Sequence, residues 1–177
     1  MEKSAATTQP EAATQAPDEV EMQIRGLMMD PVTNMPIVVL KDVASDVVLP
    51  IWVGIFEANA IAVELEKSAP PRPMTHDLLL NMARGLNATV RKVVVSELRE
   101  DTFYAVIWMD QAGEMVALDS RPSDAIALAL RWDCPIYVSR TVLESSKQSA
   151  ASQTINEDDM KRWLENLNDD EMGRYKM

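Results

Sequence analysis

From position 20 the stretch VEMQIRGLM alternates apolar Val20, Met22 and Ile24 with polar Glu21, Gln23 and Arg25, the period-two mark of a half-buried strand. DPVTNMP reads as a turn, PIVVLKD as a second strand and VVLPIWVG as a third, with residues 42–46 joining the last two in a hairpin. The period then lengthens. In GIFEANAIAVELEK, Ala58, Ile61, Ala62 and Leu65 recur at helical spacing, and the alanines suit close packing on a sheet. SAPPRP stops that helix, because proline cannot continue the hydrogen-bond ladder. A second helix is predicted from an N-cap at Thr75 through Leu86, burying Leu78, Leu79, Met82 and Leu86. ATVRKVVVSEL, TFYAVIWMD and EMVALD follow as strands, Ser123 caps a helix over DAIALALRW, CPIYVS is short and apolar, and RTVLESSK is helical. Interleaved hairpins and helices predict an α+β fold: a single domain with a mixed, largely antiparallel sheet packed with helices.

Composition sets the ends apart. Residues 1–19 are rich in Ala, Thr, Gln and Pro without periodicity, which predicts a disordered tail before a domain at 20–147. A Ser/Ala/Gln linker is expected at 148–156. Residues 157–177 then form a C-terminal amphipathic helix and tail, with Met160, Trp163, Leu164 and Leu167 as its apolar stripe. That stripe should dock, on its own domain or on a second subunit. The net charge is −11, but the span 20–156 holds 12 basic against 17 acidic residues, so the domain itself carries −5. A strong electrostatic funnel for nucleic acid is not expected, since non-specific affinity comes from Lys and Arg.

No apolar stretch approaches the roughly 18 residues of a membrane helix, and the chain starts without an apolar signal block. One cysteine, Cys134, supports no disulfide framework, so the expectation is a cytoplasmic protein without membrane association. A single histidine, His76, excludes histidine-pair zinc sites and two-histidine acid-base hydrolysis. Five scattered glycines form no phosphate loop or dinucleotide fingerprint. Carboxylates, one imidazole, arginines and hydroxyls remain.

Two openings are alike: RPMTHD at 72–77 and RPSD at 121–124 both set Arg-Pro, a hydroxyl residue and an aspartate ahead of an apolar run. Helix initiation accounts for the proline, hydroxyl and acid. It does not account for the arginines, because a cation before a helix N-terminus is repelled by the helix dipole. Arg72 and Arg121 must therefore be held by a carboxylate, with Asp119 and Asp124 nearest to Arg121, or by a bound anion. His76 is either a structural residue or a general acid or base beside Asp77. Glu57 and Glu64 are separated by about 10.5 Å along a helix axis, too far to share one ion. Asp119, ending a strand, and Asp124, opening a helix, form the best candidate carboxylate pair.

The blocks LPIWVGIFEANAIA, PPRPMTHDLL, TFYAVI and DSRPSDAIALALR followed by PIYV resemble the bacterial and plant bifunctional nuclease domain family, in the right order from about Val20 to Lys147. The terminal NDDEMGRYKM looks like the extension of some members, and the UVR-type helical motif of others is absent. The resemblance implies an α+β single domain, self-association as a dimer or larger homo-oligomer, and transient action on DNA and RNA. The family blocks fall on Glu57, Arg72, His76, Asp77, Asp119, Arg121, Ser123 and Asp124. The expected roles are catalysis by His76, Asp77 and Glu57; phosphate binding by Arg72, Arg121 and Ser123; and Mg²⁺ or Mn²⁺ held by Asp119 and Asp124 for divalent-metal-assisted hydrolysis. The alternative is a non-catalytic homo-oligomeric module that binds a protein or a small anionic ligand.

Overall fold

The computed structural model describes residues 18–152, with side chains through 147. Most of the expected tail at 1–19 and all of the expected helix at 157–177 lie outside the described residues. Among the described residues the seven strands are β1 Glu19–Met29, β2 Pro36–Asp42, β3 Val48–Trp52, β4 Ala88–Arg99, β5 Thr102–Gln111, β6 Glu114–Ser120 and β7 Ile136–Ser139. The four helices among these residues are α1 Ile55–Leu65, α2 Thr75–Gly85, α3 Pro122–Trp132 and α4 Arg140–Ser152. One sheet holds all the strands in the order β3-β2-β1-β7-β4-β5-β6. It is two antiparallel meanders joined through β7, which lies antiparallel to β1 and parallel to β4. The fold is α+β with a mixed, mostly antiparallel sheet.

Local chemistry explains the hairpins. Ala112 and Gly113, at φ 54° and 88°, turn β5 into β6, and two successive positive φ values match the right-handed strand twist. Gly113 carries no Cβ to resist this, and its N–H is held by Asp110 Oδ1 at 3.0 Å. Short, apolar β7 takes the middle of the sheet, with Val138 fully buried.

Val38, Leu40, Leu49, Ile51, Val93, Val95, Ala105 and Ile107 join Ala58 and Ile61 of α1, Ala125, Ile126 and Ala129 of α3, and Val142 and Leu143 of α4 in one core. The α3 helix is buried from Pro122 through Ala129 except at Asp124, as suits a helix enclosed by a sheet and other helices. Of the α1 stripe expected to be buried, Ala58, Ile61 and Ala62 are, while Leu65 is half-buried against the core.

Three expectations are corrected. The N-caps are Met74 and Arg121, so Thr75 and Pro122 are the first helical residues and Ser123 lies one further in. The cap role passes in α2 to Asp77, whose Oδ2 accepts the Met74 backbone N–H at 2.8 Å. The α4 helix continues through Ser152, into the stretch expected to be a linker. Finally, Leu78, Leu79, Met82 and Leu86 are exposed, and the buried residue of α2 is His76. Polar bonds rather than apolar burial set the rotation of this helix, for the reason given next.

Candidate active site

Helices α1, α2 and α3 each carry a carboxylate at their third position, Glu57, Asp77 and Asp124, where it faces unpaired backbone N–H groups and the positive end of the dipole. Side chains tie the three N-termini together. Arg121 donates through Nε to Asp124 Oδ2 at 2.7 Å, through Nη2 to Asp124 Oδ1 at 3.2 Å and through Nη1 to Glu57 Oε1 at 2.8 Å. His76 Nε2 lies 3.0 Å from Asp124 Oδ1. The chain Glu57–Arg121–Asp124–His76 thus crosses from α1 through α3 to α2.

The cluster is graded in exposure. The Arg121 side chain is 64% exposed and that of Asp124 28%, while His76 is buried. Burial works to raise the Asp124 carboxyl, but hydrogen bonds from Arg121 and His76 outweigh it and hold the group below the usual carboxylate range. Hydrogen bonds to Asp124 first and Glu57 second displace the Arg121 guanidinium upward, so it stays cationic. These bonds leave N–H groups on Nη1 and Nη2 unused, since a guanidinium has more donors than they occupy. Gly54 lets Glu57 fold back over its own helix start: a Cβ at this position would overlap Glu57 Oε2.

Asp77 belongs to a second link that the sequence reading passed over. Arg131, in the last turn of α3 with its side chain 3% exposed, donates through Nε to Asp77 Oδ1 at 2.6 Å. Its Nη1 donates to the carbonyls of Ala60 at 3.1 Å and Ala127 at 2.9 Å. One guanidinium therefore joins α1, α2 and α3. Burial would raise the Asp77 carboxyl, but the Met74 N–H and Arg131 together bring it below its ordinary value. The readable signal was spacing: Asp124 and Arg131 are seven apart, two turns along one helix face, facing the adjacent pair His76 and Asp77. Those two contacts turn the polar side of α2 inward and its leucines outward.

Of the candidate residues, Glu57, His76, Arg121 and Asp124 come together, with Asp77 beside them through Arg131. Arg121 is held by Asp124 and Glu57, not by Asp119. Asp119 on β6 pairs with Val106 of β5, whereas its neighbours Leu118 and Ser120 pair with core-facing Ile107 and Ala105. Alternation along the strand turns Asp119 to the sheet face away from the helices, so it does not converge with Asp124. Ser123 is buried in α3. Arg72 is exposed in the loop before α2, without an ion-pair partner among the described residues.

The Mg²⁺ or Mn²⁺ site does not fit these side chains. Both Asp124 oxygens are engaged by Arg121 and His76, and among the described residues no group of three or more His, Cys, Asp or Glu is placed to hold a metal ion. No helix among them is long and apolar enough to cross a membrane.

A seven-stranded mixed sheet covered by helices whose N-termini share a cluster of Arg121 with Glu57, Asp124 and His76 defines an α+β domain with a candidate active site. The model of the bifunctional nuclease domain matches residues 38–151, from β2 to the end of α4. The chain belongs to that family. It is 34% identical over 154 residues to an uncharacterized protein of Mycobacterium tuberculosis (strain ATCC 25618 / H37Rv), covering 83% of this chain and 92% of that protein. It is 28% identical over 133 residues to bifunctional nuclease 1 of Oryza sativa subsp. japonica, covering 73% of this chain and 40% of the rice protein. Bifunctional nuclease 1 of Arabidopsis thaliana is 29% identical over 126 residues, 64% of this chain and 39% of its own length.

Proposed function

We propose that the chain is a nuclease that hydrolyses phosphodiester bonds of both DNA and RNA in the cytoplasm. Family membership supports the reaction class, and one observation supports its location: Arg121 retains unused N–H groups where three helix N-termini meet. A phosphate docked there gains most as its negative charge rises toward the transition state. Glu57, with one oxygen on Arg121, accepts the proton of the attacking water through the other. His76 is buried and acts as a positioning residue, holding Asp124 and through it the guanidinium fork. Arg72 takes a neighbouring phosphate of the strand. Asp77 supports α2 through Arg131 rather than touching substrate. Among the described residues the donor set offers no metal site, so no step is assigned to a metal ion.

The test is incubation of the full chain with single- and double-stranded DNA and with RNA of defined length, with Mg²⁺ or Mn²⁺ and with chelator. Both DNA and RNA should be shortened, and Arg121→Ala should slow cleavage by about 100-fold or more. Intact substrates under every condition, or an Arg121→Ala variant as fast as the parent, would refute the reading. The second reading, a non-catalytic self-associating module, is favoured by the internal counter-charges that Arg121 already has in Glu57 and Asp124.

A further inference from the structure

Phe56 stands on the first turn of α1 with 87% of its surface exposed, and Ile55 before it is 55% exposed. The other phenylalanine of the chain, Phe103, packs against the core. The helix that carries Phe56 is firmly seated, since Ala58 and Ile61 of the same helix are fully buried. The ring is therefore held out by a rigid element rather than by a loop. A single exposed apolar side chain carries no message by itself, but this one has a particular neighbour. Phe56 precedes Glu57, whose Oε1 accepts from Arg121 Nη1 at 2.8 Å. Bond lengths along that path keep the ring within about 15 Å of the guanidinium, close enough for one short segment of a strand to touch both. The Arg121 side chain is itself 64% exposed. An open aromatic face and an open cation side by side match the two halves of a nucleotide, base and phosphate.

We propose that Phe56 is the base-stacking residue of this site: a phosphate of the strand sits on Arg121 while an unpaired base of the same strand lies on the Phe56 ring, so that the preferred substrate is single-stranded nucleic acid. The proposal rests on the nuclease reading above and adds to it which strands are taken.

Charge selects the occupant. Residues 20–156 hold 12 basic against 17 acidic side chains and carry −5, so phosphate contacts alone give little affinity. Stacking supplies attraction that net charge does not cancel. A base within a duplex has to be unpaired and unstacked before it reaches the ring, which sets double strands at a disadvantage. Every base presents a π-face whatever sugar it is attached to, which fits action on both DNA and RNA. An apolar protein partner could cover Ile55 and Phe56, but it would leave the spare donors of Arg121 unmatched.

The test uses the full chain and labelled phosphorothioate oligonucleotides, which resist cleavage, so that binding is read by fluorescence anisotropy apart from turnover. The probes are a single strand of mixed sequence, its duplex, and the same backbone without bases. The parent should hold the single strand about tenfold more tightly than either of the others. Phe56→Ala should lose about tenfold on the single strand and nothing on the strand without bases. Phe56→Leu, apolar but without a ring, should match the alanine variant, and Phe56→Tyr should match the parent. On unmodified single strands Phe56→Ala should raise KM and leave kcat in place, because stacking acts equally on ground and transition states. The position is exposed, so the circular dichroism spectrum should not change; should the alanine variant fail to fold, the leucine and tyrosine pair decides. Equal single-strand affinity of parent and Phe56→Ala, or a leucine variant that binds like the parent, overturns the stacking role while the nuclease reading stands. A parent that neither binds nor cleaves any strand overturns both. A Phe56→Ala chain of lower mass than the parent by light scattering assigns the ring to a protein contact and likewise overturns the proposal.

Discussion

Replacing Arg131 by methionine keeps an unbranched apolar stem and removes the guanidinium that joins three helices. The variant loses the 2.6 Å ion pair to Asp77 and the donors to the Ala60 and Ala127 carbonyls. Those carbonyls retain their helical N–H partners, so the main cost lies with the carboxylate. Asp77 is 27% exposed and keeps the Met74 N–H, which lets it rehydrate in part. The loss should therefore fall near the low end for breaking a buried pair, about 3 kcal/mol. Against a total stability of about 5–15 kcal/mol, the variant stays folded at room temperature but melts about 10 °C lower. Urea unfolding followed by far-ultraviolet circular dichroism measures this directly. Arg131→Lys, which keeps the charge without the planar fork, should lie between parent and methionine variant. In a double-mutant cycle, Asp77→Asn should cost much less in the Arg131→Met background than in the parent. A loss under about 1 kcal/mol for Arg131→Met, well below the cost of opening a buried pair, would refute the claim that this pair sets the rotation of α2.

Gly54→Ala should displace Glu57 from Arg121 and reduce nuclease turnover while leaving the melting temperature within a few degrees; unchanged turnover would remove Glu57 from the site. Asp77 and Asp124 both have carboxyls lowered in the folded state, so their contribution is present above the unfolded carboxylate pKa and is lost as pH falls through the folded values. Stability from urea titrations should accordingly drop below about pH 4, and Asp77→Asn should flatten that acid limb. Burial and the neighbouring Asp133 push the Cys134 thiol up to about 11, so a disulfide reagent at pH 8 should label it slowly in native protein and quickly in urea.

Periodicity carried most of the fold into view. Each strand and helix expected within the domain is present, because alternation and the 3.6-residue repeat follow from backbone geometry that neighbours do not change. Boundaries moved where a side chain several residues away supplied the cap: Asp77 displaced Thr75 from that role. The doubled Arg-Pro opening marked the start of two helices and, at Arg121, a cation held by carboxylates. Asp124 was readable as a near neighbour of Arg121, but Glu57 was not, since it lies 64 positions away.

By itself, the sequence determined the order of elements, the α+β class and the residue types gathered at the helix starts, all of which are local in the chain. Only the tertiary structure decided that Asp119 faces away from Asp124, that buried Arg131 joins three helices, and that the leucines of α2 look outward. An apolar stripe states that a helix has a face to cover, but the cost of leaving buried Arg131 without its counter-charge outranks it in choosing which face turns inward. That competition is settled between elements far apart in sequence, and so it becomes visible only once they are packed.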